Sequence, residues 1–213
     1  MRQLPLEISP PAEPSFDNFV PGQNVEALAR VRDLALGTLR EAIVYLWGEA
    51  GSGRTHLLRA AARANASLVI ADDVAALDPD AQQRLFSAIN EARDGRAAVL
   101  AAGPAAPAAL ELRADLRSRL AWGLVYQLKP LAEAEKRGHL QAEARRRGLA
   151  LSDEIAAYLL ARVPRDMATL TALLEALDRE ALTRKRPLTL PLVREVLGAS
   201  NEGGGTPRQT PGA

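Results

Sequence analysis

Six apolar residues, AIVYLW from Ala42 to Trp47, run without interruption into the glycine-rich turn GEAGSGRT, Gly48 to Thr55, and a helix-forming stretch, RTHLLRAAARANA, follows at once. An apolar run of strand length with no polar alternation reads as a strand covered on both faces, the signature of a parallel sheet. The turn fits the phosphate-loop template G-x-x-x-x-G-K-[S/T] at every fixed position but one, because Arg54 stands where lysine is expected. Glycines in such a turn let successive backbone N–H groups curl around phosphates, and the helix that follows adds the partial positive charge of its N-terminus. A glycine turn that merely joins strand to helix is the plain alternative. Its weight falls because the match lies between a buried strand and a helix, and because the next apolar segment, SLVIADD, ends in Asp72 and Asp73.

The alternation continues along the chain. Asp78-Pro79 places a capping residue and a first-turn proline ahead of a helix expected to run to about Asp94. AAVLAAG is expected as a third strand, PAALELRADLRSRLAWG as a helical stretch and LVYQL as a fourth strand. Strand and helix in turn imply a parallel sheet covered by helices, after an opening helix expected from Val25 to Arg40. Beyond Lys129 the strands stop, and helices are expected at about 131–148, 152–163, 166–184 and 189–198. The expected organisation is an extended arm over 1–15, which holds four prolines, an α/β core over 16–128, a helical subdomain over 129–199 and a disordered tail over 200–213.

Composition narrows the function. The chain has no cysteine and two histidines, so thiolate metal sites are excluded and a zinc site has little to draw on. With 27 basic and 26 acidic residues the net charge is +1, which disfavours direct binding of duplex DNA. No apolar run approaches the roughly 20 residues of a membrane span, and the first residues lack the apolar core of a signal peptide, so a cytoplasmic protein is expected.

Several separated segments share one resemblance. FDNFVPGQN (Phe16 to Asn24), GEAGSGRTHLL, VIADDV, LRSRLAWG (Leu116 to Gly123) and RDMATL (Arg165 to Leu170) resemble the initiator-like AAA+ ATPases of bacterial replication, and within them the Hda-type regulators of the initiator DnaA. The resemblance implies an AAA+ phosphate-loop sheet with a C-terminal all-helical lid. It implies that ADP or ATP is held by Gly48, Glu49, Ala50, Gly51, Ser52, Gly53, Arg54, Thr55 and His56, with Val20 packing near the base and Arg165 as a second sensor reaching from the lid. Thr55 and Asp72 would hold Mg²⁺, and Asp73 would orient an attacking water. Arg119 matches an arginine finger, which reaches a neighbour's nucleotide and would be catalytic in trans. The opening QLPLEI is similar to the family's clamp-binding peptide, with Gln3 at the pocket rim and Leu4, Leu6 and Ile8 as apolar anchors.

Two departures from the family pattern bear on chemistry. Only sixteen residues separate Thr55 from Asp72, so one strand and its helix are missing and a four-stranded sheet is expected. In AAGPAAP the polar first-sensor residue near Gly103 and Pro104 has given way to groups without a side-chain hydrogen bond. The reading is a nucleotide-holding regulator, docked on the DNA polymerase sliding clamp and associated with the nucleoid through it, that stimulates hydrolysis of ATP on DnaA and prevents re-initiation. A second copy of the chain is a further candidate partner. The rivals are a self-assembling ATPase resembling a helicase loader, and a nucleotide-free adaptor on the clamp.

Overall fold

The computed structural model describes residues 13–162 and 167–202. Two compact units divide the chain, Glu13–Ala132 and a second that takes the residues from Glu133 onward.

The first unit is built on four parallel strands, β1 (Ile43–Gly48), β2 (Val69–Ala71), β3 (Val99–Gly103) and β4 (Leu124–Leu128), in the order β2-β3-β1-β4. The missing strand leaves the three-residue β2 at an edge, as the short interval before Asp72 requires. Four helices cover the sheet: α1 (Val25–Ala35), α2 (Arg54–Ala64), α3 (Pro79–Arg93) and α4 (Ala114–Leu120). Val44 and Leu46 of β1 pack with Val31, Leu57 and Leu58 on one face, while Ile43 and Tyr45 pack with Ile89, Leu116 and Leu120 on the other. This two-sided burial explains why the sequence of β1 shows no alternation. Each such side chain contributes about 1.5–3 kcal/mol by leaving water.

Handedness decides where the helices lie. The chain crosses from β1 to β2 in one direction and returns through β3 to β4 in the other, so right-handed crossovers put α2 on one face and α3 and α4 on the opposite one. The crossovers diverge at the C-terminal ends of the adjacent strands β1 and β3, where open parallel sheets form their ligand crevices.

Local signals hold where a side chain closes the helix. Asp78 Oδ1 accepts from Ala81 N at 2.7 Å with Pro79 in the first turn, and Ser152 Oγ accepts from Ile155 N at 3.3 Å. Two expected helices are shorter than their sequence suggests. α1 ends at Ala35 rather than Arg40, because Leu36 caps it and Gly37 takes φ +71°. The stretch from Pro107 to Gly123 breaks into a 3-10 turn at Pro107–Ala109 and the seven-residue α4, with Leu110 extended between them.

A link that local pattern does not reveal joins distant parts of this unit. The buried Asn24 donates from Nδ2 to Lys129 O at 2.8 Å and accepts from Lys129 N at 2.8 Å, fixing the start of α1 to the end of β4.

The second unit contains α5 (Glu133–Arg146), α6 (Asp153–Arg162), α7 (Met167–Arg184) and α8 (Leu190–Glu202). α8 runs four residues past the expected end, to 202 rather than 198. Ile155, Leu159, Leu173, Leu177, Val193 and Val196 form its main core. The buried Glu143 on α5 accepts from Arg147 Nε at 2.8 Å and also pairs with Arg146, and Arg147 Nη2 reaches Glu175 on α7 at 2.9 Å. Every charge in that network has a partner of opposite sign.

Candidate functional site

The loop from Gly48 to Thr55 leaves β1 at the sheet's crevice end. A Cβ on Gly48 would collide with the main-chain carbonyl of Leu128 on β4, so only glycine lets the two strands pass this closely. Gly53 has φ +96°, and a Cβ there would lie 2.6 Å from the ring edge of Phe19. The segment before α1 therefore folds over the loop. His56 Nε2 donates to the Ser15 carbonyl at 2.9 Å, and its ring lies 5.4 Å from that of Phe19. Phe19, the neighbour of Val20 in the FDNFV segment, is thus a wall of the loop, and Val20 beside it is half-buried.

Two polar atoms on this loop are buried without a partner, Ser52 Oγ and Arg54 Nη1. Unsatisfied buried donors are rare and call for a missing acceptor. Arg54 is also the first residue of α2, where a cation faces the positive end of the helix dipole. An anion at the loop relieves both costs, so these residues fit a phosphate group. Glu49, Ala50, Gly51 and Thr55 are exposed around the same turn.

The acidic pair stands at the end of β2. Asp72 and Asp73 are exposed, Asp72 Oδ1 accepts from Asp73 N at 3.0 Å, and Asp73 has φ 44°, a left-handed conformation uncommon outside glycine. Among the described residues no group of three or more His, Cys, Asp or Glu could hold a metal ion. The donor set offered by Thr55 and Asp72 suits Mg²⁺ that completes its shell with phosphate oxygens and water.

Arg119 lies in α4 on the opposite face from α2. Its guanidinium is 4.1 Å from the Phe86 ring centroid and 4.6 Å from that of Trp122, and it donates from Nη1 to Asn90 Oδ1. Its Nε is buried with no partner. Arg113 lies over the same Phe86 ring, 5.5 Å from its centroid, but its polar partners differ. Arg113 pairs with Asp115 at 2.6 Å and bonds Gln83 at 2.8 Å, holding the Asp115 carboxyl below the usual range, whereas Arg119 is set between two aromatic rings. Phe86 and Asn90 are one helical turn apart on α3, a spacing that puts them on one face and is the only sequence signal for this arrangement.

Residues 133–197 match the family model described as "Hda, lid domain". Domain III of the Thermotoga maritima replication initiation protein DnaA is similar over 89% of this chain and 98% of that one, with 20% identity and a TM-score of 0.67. The chain has the AAA+ fold of DnaA domain III, and its helical unit resembles an Hda lid. AMPPCP-bound DnaA from Aquifex aeolicus is similar over 82% of this chain and 70% of that one, at 20% identity and a TM-score of 0.61. A Thermotoga maritima RuvB variant shares the fold over 87% of this chain and 71% of that one, at 16% identity and a TM-score of 0.59. The four-stranded AAA+ core and the helical lid agree with the expected fold class. Arg165 and the peptide Gln3, Leu4, Leu6 and Ile8 lie outside the described residues. Among the described residues no helix is long and apolar enough to cross a membrane.

Proposed function

We propose that this AAA+ protein is a regulator related to DnaA, which holds an adenine nucleotide on its own loop and stimulates hydrolysis of ATP carried by DnaA. The observation that carries the reading is the pair of unsatisfied buried atoms, Ser52 Oγ and Arg54 Nη1, on the glycine-rich loop. Backbone amides and these two side chains would grip the phosphates, and Thr55 and Asp72 would hold Mg²⁺. The hydrolytic side of the site is thin. After β3 the chain continues as Pro104, Ala105 and Ala106, without a polar side chain to place a water. Binding of ADP or ATP is better supported than turnover.

Arg119 would then be the group that acts on a neighbour, after leaving its stacked position within the chain. A guanidinium brought to a transferring phosphoryl group stabilises the charge that develops on its oxygens, which accounts for much of catalysis by arginine fingers. The initiator fold of the structural relatives and the Hda lid model over 133–197 support DnaA as that neighbour. Docking on the sliding clamp through Gln3, Leu4, Leu6 and Ile8 would bring the regulator to replicated DNA.

The test supplies radiolabelled ATP on DnaA, with clamp loaded on DNA, and follows conversion to ADP. Wild-type protein should accelerate conversion, while Arg119→Ala and Gln3→Ala should abolish or sharply reduce the acceleration. Equal conversion with all three proteins would remove the regulatory reading. ATP turnover by the protein alone would instead favour a self-assembling motor, and acceleration by nucleotide-free protein would favour the adaptor.

A further inference from the structure

β3 ends in a row of small residues. Ala101, Gly103 and Ala105 alternate toward the crevice, and the register sets Ala101 opposite Tyr45 and Gly103 opposite Trp47 on β1. Side chains at 45, 101 and 103 share a face of the sheet. The Tyr45 ring is fully buried and extends along that face toward the crevice, where its hydroxyl occupies the place a Cβ on Gly103 would need. It donates to the Ala105 carbonyl at 2.8 Å. Val74, which follows the acidic pair, closes the same spot from the β2 side, 3.0 Å from that Cβ position.

Loss of a polar side chain from the end of β3 is therefore not loss of a polar group from that place. We infer that Tyr45, reaching across from β1, supplies the hydrogen-bonding group of the first-sensor position and is a positioning residue for the terminal phosphate of the bound nucleotide. The inference rests on the nucleotide reading above. Its hydroxyl lies within electrostatic range of both Arg54 and Asp73. On that reading Arg54 would grip the outer phosphates and Asp73 would orient the attacking water, and the Tyr45 hydroxyl at the end of β3 lies in the field of both. Burial keeps the phenol protonated, with its pKa pushed up to about 12, although Arg54 pulls the other way. The hydroxyl proton can rotate from the Ala105 carbonyl to a phosphate oxygen, since a hydroxyl both donates and accepts.

The same geometry explains why Gly103 carries no side chain. Two groups cannot fill one place, and in this chain the occupant comes from the neighbouring strand.

Calorimetry on nucleotide-stripped full-length protein with Mg²⁺ tests the inference, using ATP and ADP in parallel. Tyr45→Phe keeps the ring and removes the oxygen. It should weaken ATP binding about tenfold, the scale of a hydrogen bond to a charged group, and leave ADP affinity within about threefold. Gly103→Ala should displace the hydroxyl and give the same selective loss. Thermal melting of each variant identifies any that fails to fold. If folded Tyr45→Phe binds ATP and ADP as wild type does, or loses both equally, Tyr45 has no sensor role and the inference is overturned while nucleotide binding stands. If wild-type protein binds neither nucleotide, the reading beneath it fails as well.

Discussion

The guanidinium of Arg119 lies 4.1 Å from the centroid of the Phe86 ring, so the residue proposed to act on a neighbour is already stacked within its own chain. Trp122 lies on it at 4.6 Å and Asn90 accepts its Nη1 proton. A guanidinium held this way has lost much of its rotamer freedom before any partner arrives. Lysine cannot reproduce the fit, having neither the planar fork nor the capacity to stack. Arg119→Lys should therefore lower stimulated conversion of DnaA-bound ATP by about tenfold or more, the low end of the effect of an arginine finger. Wild-type conversion by that variant would show that charge alone suffices.

Phe86→Ala removes the platform without touching the charge. Because Phe86 is only partly buried at the edge of its core cluster, the cost in stability should stay near 1–3 kcal/mol, about the lower half of the range for large-to-small changes. Stimulated conversion should fall nonetheless. Chemical denaturation and the ATP-conversion assay, run on the same preparation, separate the two effects.

Asn24→Ala breaks both hydrogen bonds to Lys129 and leaves its partly buried amide and carbonyl unmet. A loss of about 2–4 kcal/mol is expected, two bonds with their desolvation penalties. Urea unfolding would measure it, and a change below about 0.5 kcal/mol would mean that water replaces the side chain.

Tyr45 makes stability depend on pH in the alkaline range. Burial raises its folded pKa from 10.0 to about 12, against an unfolded value near 10. Between these values the unfolded chain has released the proton and the folded chain has not, so stability is full below about pH 10 and declines as pH rises toward about 12. The two-unit gap corresponds to about 2–3 kcal/mol. Tyr45→Phe should flatten that decline in guanidinium unfolding followed from pH 8 to pH 11.5, and an unchanged slope would assign it to other groups.

How much the sequence reveals depends on how far the determining contacts reach along the chain. β1, the glycine turn and the cap at Asp78 are legible because each is set by residues within a few positions of one another. The break in the stretch before β4 is not, since helix-forming residues such as Glu111 and Leu112 fill it while Leu110 takes an extended conformation. The site divides in the same way. Loop residues announce themselves by spacing, whereas Tyr45 reaches Ala105 across 60 positions and Asn24 reaches Lys129 across 105. The cradle of Arg119 draws on α3, α4 and the turn after α4, and no periodicity in one segment reports on another.

The hold of His56 on the Ser15 carbonyl has a consequence for reach. If the opening peptide seats in a groove on the clamp, only seven residues run from Ile8 to that anchored point, a leash of about 25 Å at full stretch. Such a short span would confine the glycine-rich loop and the Arg119 face to a thin shell around the ring, so that encounters with an initiator passing nearby would become a matter of local crowding rather than of free diffusion through the cell.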